Sequence, residues 1–120
     1  MADSPEATER LIENIIPILV VEDLSRSIEY YETVLRFSVD WSSSDFAGLS
    51  RDGWRIYLSE DPGARAGARL WIGVEDLDRL YEECRSRGAT IVAEITNNPW
   101  AREFQVADPD GHVLRFGGAP

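Results

Sequence analysis

The 120-residue chain contains no lysine, so Schiff-base chemistry and a phosphate-loop lysine are both excluded. One cysteine and one histidine leave no intrachain disulfide, no zinc finger and no His-x-x-x-His metal site. The longest apolar run, Ile15–Val21, is far too short to cross a bilayer. Met1 to Glu13 carries acids and no apolar core of the signal-peptide kind, so a cytoplasmic location is expected. Positive charge is scarce as well. Twelve basic residues, all arginine, face twenty-two acidic ones, for a net charge of −10. That balance repels nucleic acid and anionic membrane and attracts cations. What remains is 43% apolar and 28% charged, the composition of one folded domain.

The chain echoes itself. Val21-Glu22-Asp23-Leu24 returns 53 positions later as Val74-Glu75-Asp76-Leu77. Each copy follows a strand-like run, Ile15–Val20 in the first and Leu70–Gly73 in the second, and each opens a helix. Asp23 and Asp76 sit where an N-cap carboxylate accepts orphan backbone N–H groups. Leu24, Ile28, Tyr31 and Leu35 make one helical apolar face, and Leu77, Leu80, Tyr81 and Cys84 another, stopped by Gly88. Three short strands are expected after each helix: Phe37–Ser42, Phe46–Arg51 and Trp54–Ser59, then Thr90–Ile95, Arg102–Ala107 and His112–Phe116. The pattern predicts an α+β fold of two βαβββ repeats (15–59 and 69–117, linked by 60–68, after an arm at 1–14). Set edge to edge, the repeats would form a curved mixed sheet with a concave cleft.

Nothing in the chain assembles a nucleophile–base pair. Cys84 lies on the apolar stripe of the second helix and reads as an inert buried thiol. His112 leaves a hairpin turn, where an exposed or turn-packed role suits it better than general-base work. Aromatic residues make up 10% of the chain. Phe37, Tyr57, Phe104 and Phe116 read as core filling. Trp100 does not, because it lies in the inserted loop Thr96-Asn97-Asn98-Pro99-Trp100. Trp41 stands beside Asp40, three serines and Asp45, with Phe46 next. Aromatics flanked by carboxylates suit a planar cationic ligand, since rings stack and acids neutralise charge.

With its Asp-Leu helix openings and closing Asp108-Pro109-Asp110-Gly111-His112-Val113-Leu114-Arg115-Phe116, the repeat resembles the vicinal oxygen chelate superfamily. That group includes glyoxalase I, extradiol dioxygenases and bleomycin-resistance proteins. Ser44-Asp45-Phe46-Ala47-Gly48 and Pro99-Trp100-Ala101-Arg102-Glu103-Phe104 resemble the bleomycin-resistance branch in particular. The resemblance implies a homodimer that performs no chemistry, needs no cofactor and sequesters a bleomycin-type cationic glycopeptide in clefts between its chains. Carried over residue by residue, the cleft would use Asp40, Trp41, Phe46, Ser59, Trp71 and Trp100, with Asp45 adding charge. Ala101 stands where that branch has glycine, and its methyl is expected to alter ligand approach. In metal-dependent relatives two histidines and a glutamate bind the ion. The matching positions here are Ile16, Arg69 and Arg115, and none can donate to a metal. Two alternatives remain at this stage: an enzyme of the same superfamily, or a binder of another aromatic metabolite.

Overall fold

A computed structural model describes residues 10–63 and 67–120; most of the arm and the middle of the linker lie outside these. The first unit runs β1 (Ile18–Val21), α1 (Leu24–Thr33), β2 (Ser38–Ser42), β3 (Phe46–Arg51) and β4 (Trp54–Glu60). The second runs β5 (Arg69–Gly73), α2 (Leu77–Ser86), β6 (Thr90–Asn97), β7 (Arg102–Ala107) and β8 (Val113–Gly118). Each unit closes its own four-stranded mixed sheet, in the orders β1-β4-β3-β2 and β5-β8-β7-β6. The expected curved sheet is thus realised within one chain as two sheets. In both, the first strand runs parallel to the last and the hairpins are antiparallel.

The helix starts follow the repeated aspartates. Asp23 accepts from the Arg26 N–H at 3.1 Å, and Asp76 from the Arg79 N–H at 3.2 Å. The ends differ. Gly88, at φ 83, stops α2 with the Gly88 N–H on the Arg85 carbonyl and the Ala89 N–H on the Cys84 carbonyl, a Schellman cap. The chain leaving α1 turns instead at Arg36, which takes φ 61 without being glycine.

One core serves both units. Leu19, Val21, Tyr31, Leu49 and Leu58 of the first join Cys84, Phe104, Val106, Leu114 and Phe116 of the second. Phe37 packs against this cluster, as expected, whereas Tyr57 does not belong to it. Ile56 and Leu58 point into the core, so pleating turns Tyr57 to the opposite face.

The Asp108–His112 turn clasps the two units together. Tyr31 Oη donates to Asp108 Oδ2 at 2.8 Å, and Asp110 accepts from the Glu22 N–H at 2.9 Å and from Arg26 at 3.2 Å. His112 is buried, with Nε2 2.7 Å from the Val20 carbonyl and Nδ1 accepting from the Ala68 N–H. With Nδ1 accepting, Nε2 is the side that donates to the Val20 carbonyl. Of the two roles expected for His112, the turn-packed one holds. The hairpin turn is thus also the joint between the repeats.

Candidate functional site

The helices cover one face of each sheet and leave the other open. On the first sheet, register puts Ile18, Val20, Gly48, Tyr57, Phe46 and Ser59 on the open face. A register shift between Val39 and Trp41 adds an extra residue on β2. The strand therefore turns both Asp40 and Trp41 toward that face. Asp40 accepts from Ser50 Oγ at 2.9 Å. The Trp41 indole lies flat over Gly48, where an added Cβ would stand 2.6 Å from the ring. Trp41 stacks on Phe46 at a centroid separation of 5.5 Å, and Tyr57 meets both edge-on at 5.3 and 5.4 Å. Ser59 pairs across the ladder with Phe46. Asp45, at the strand entry, is exposed and accepts a long 3.5 Å bond from Ser43. Five of the predicted residues (Asp40, Trp41, Asp45, Phe46 and Ser59) therefore gather on or beside one face. Tyr57, assigned to the core from sequence, completes its aromatic trio.

The second sheet repeats the device with different chemistry. Trp71 on β5 lies over Gly117 of β8, where a Cβ would stand 2.4 Å from the indole. Its Nε1–H donates to Glu103 Oε2 at 2.9 Å. Arg115 donates to Glu103 Oε1 through Nε at 3.1 Å and Nη2 at 2.8 Å, and Asn98 adds a bond at 3.2 Å. The Arg115 guanidinium, followed by the Trp71 indole, holds the Glu103 carboxyl below the usual carboxylate range, with a smaller share from Trp100. Sequence reasoning missed Glu103 as a site residue. Its alternation with Phe104 and Val106 was the available signal.

Trp100 is exposed in the β6–β7 loop. Ala101 is buried, and its carbonyl accepts from the Asn98 N–H at 2.9 Å. Its side chain is enclosed at the foot of the loop that carries Trp100. Among the described residues no aromatic contact joins the Trp41 trio to Trp71 or Trp100. One chain therefore presents two separate aromatic faces.

The donor set does not fit the metal of the chelating relatives. Ile16 has no donor atom, and Arg69 and Arg115 keep their protons; Arg115 is moreover committed to Glu103. No group of three or more metal-ligating side chains is present among the described residues. No helix there is long and apolar enough to cross a membrane.

Residues 12–116 match the Glyoxalase/Bleomycin resistance protein/Dioxygenase superfamily. The chain belongs to it. A bleomycin resistance protein of Geobacillus stearothermophilus is 31% identical, over 84% of this chain and 92% of that protein. A phenazine antibiotic resistance protein of Enterobacter agglomerans is 22% identical, over 83% of this chain and 87% of its own length. Among solved structures, the bleomycin-binding protein of bleomycin-producing Streptomyces verticillus, complexed with copper(II)-bleomycin, superposes with a TM-score of 0.79. It is 27% identical, and the match covers 93% of this chain and all of that one. Within the superfamily, this chain resembles the bleomycin-resistance branch.

Proposed function

We propose that this protein is a non-catalytic antibiotic-binding protein that sequesters bleomycin-type glycopeptides in clefts formed between two copies of the chain. The observation that carries the reading is the indole laid flat on glycine in both sheets, each with a carboxylate beside it. Flat, half-exposed rings offer a stacking surface, and Asp40 and Asp45 complement a cationic tail. Trp100 would fold over the metal-chelating half of the drug from its loop. Among the described residues no group of three or more metal-ligating side chains stands at either face.

A homodimer follows from what a single chain leaves open. Two half-sites face solvent, and Leu11, Ile12, Ile15, Ile18 and Trp54 are exposed. The radius of gyration of 16.5 Å exceeds the roughly 14 Å of a compact chain of this length. Pairing the first sheet of one copy with the second sheet of its partner joins unlike halves into two equivalent clefts.

Calorimetric titration with bleomycin tests the function. Saturable binding is expected, with Trp71→Ala weakening it by about tenfold or more, since base–aromatic stacking is worth about 1–3 kcal/mol per ring. Absence of both heat and tryptophan-fluorescence change at micromolar bleomycin would refute it. Saturable binding of a phenazine alone would keep the faces and change the ligand. Sedimentation as a monomer at micromolar concentration would refute the dimer.

A further inference from the structure

A separate polar concavity lies at the seam between the units, beside the first aromatic face. It measures about 390 Å³ and is lined by Arg36, Ser38, Ser50, Arg51, Asp52, Arg79 and Glu83. Every lining residue is polar, and three are arginines in a chain of net charge −10. Arg51 is already committed. It donates to the Leu35 carbonyl at 2.8 Å and to Glu83 at 2.8 and 3.3 Å. That fork ties the first unit to α2 and fixes the wall of the basin. Among the described residues, neither the Arg36 nor the Arg79 guanidinium has a hydrogen-bond or ion-pair partner, although acids outnumber bases almost two to one.

Arg36 carries a second peculiarity. It occupies the left-handed region at φ 61, while the second repeat uses Gly88 at φ 83 to leave its helix. A long, β-carbon-bearing side chain at such a position is disfavoured relative to glycine. Its side chain brings a second unpaired guanidinium, beside that of Arg79, to the basin. Strain of this kind collects where a side chain is needed.

We propose that this basin binds a small phosphorylated polyol. Arg36 and Arg79 would take the phosphate, because the planar guanidinium fork matches its oxygens. Asp52, Glu83, Ser38 and Ser50 would meet hydroxyl groups. The volume lies within the range of small-molecule sites and is far more than a bare phosphate needs. No aromatic side chain lines it, so nothing stacks on a nucleobase. Ser50 donates to Asp40 of the first aromatic face, so the two sites adjoin through one hydrogen bond.

The test is calorimetry in a phosphate-free buffer with glucose 6-phosphate, inorganic phosphate, glucose and chloride as probes. Saturable binding of glucose 6-phosphate is expected, weaker binding of inorganic phosphate, and none of glucose or chloride. Arg36→Gly and Arg79→Ala should each lower affinity about tenfold, as loss of a charge-assisted contact does. Arg36→Gly should also keep or raise the melting temperature, because glycine suits that backbone. Arg79→Ala keeps the N–H that Asp76 caps. Trp71→Ala should leave this binding unchanged. Absence of saturable binding by glucose 6-phosphate, or wild-type affinity in the Arg36→Gly/Arg79→Ala double variant, would overturn the assignment. Equal affinity for phosphate and glucose 6-phosphate would overturn the role given to the carboxylates and serines.

Discussion

Adding one methyl group at Gly117 should disable the second aromatic face while leaving the fold standing. An alanine Cβ there would lie 2.4 Å from Trp71 Cζ2, 2.8 Å from Cε2 and 3.0 Å from Nε1. Carbon atoms rest at about 3.5–4.0 Å, so the indole must lift by roughly an ångström or more. Its 2.9 Å bond to Glu103 then stretches past hydrogen-bonding range. The ring can swing outward, since 58% of Trp71 is exposed, and the strand backbone accepts alanine. Loss of chain entropy in the unfolded state returns about 0.4–1 kcal/mol, so the melting temperature should move by only about 5 °C. Binding is another matter. Forfeiting one stacking ring costs about 1–3 kcal/mol, or roughly five- to 150-fold in affinity. Gly73→Ala is the internal control, because its Cβ would meet the same indole at 3.3 Å; binding there should change about twofold at most. Calorimetry with bleomycin reads affinity, and the Trp71 indole N–H resonance reads ring position. Gly117→Ala with wild-type affinity and an unmoved indole resonance would refute the glycine-floor argument.

Asp40→Asn should make bleomycin binding less dependent on salt without removing a ring, as affinity measured across a range of ionic strength would report. Tyr31→Phe deletes the buried 2.8 Å bond to Asp108 and should cost about 1–3 kcal/mol in a denaturant titration; an unchanged midpoint would mean the clasp contributes little. Burial pushes the Cys84 thiol up to about 11, so it should resist alkylation at pH 8 until the protein unfolds. Because that value is raised in the folded state, its stabilising share is full below the ordinary thiol range near pH 8.5 and fades as pH climbs toward 11. Melting temperatures measured from pH 7 to 11 should show that decline.

Much of the fold could be read locally. Phe46–Arg51 and Arg102–Ala107 form strands with those bounds, because alternation and turn residues mark both ends. The aspartate caps likewise announce both helices. The first strand was expected from Ile15 and begins only at Ile18. Pro17 has no N–H to give, and only its carbonyl joins β4, through the Tyr57 N–H at 2.9 Å. The aromatic faces were half legible. Residue types flagged the tryptophans, but what lays them flat is a glycine one strand away. For Trp71 that glycine is 46 positions distant, and no local pattern reports it. Tyr57 was misplaced because aromatic character was weighed above strand parity. The clasp by Asp108, Asp110 and His112 joins residues 77 to 92 positions apart and was invisible for the same reason.

The two repeats have kept their folding devices and diverged on their faces. Aspartate caps, Asp-Gly turns and an indole over glycine recur in both units. Yet the first face is an aromatic trio with an exposed carboxylate, and the second is a single indole pinned by the buried Glu103, which the half-exposed Arg115 holds in place. The Trp41 trio can rearrange, since contacts between rings tolerate small rotations. Trp71 cannot do so without breaking its bond to Glu103. One face is thus adaptable and the other fixed. On the proposed pairing of unlike sheets, walls that differ in this way would favour a single orientation for an asymmetric ligand.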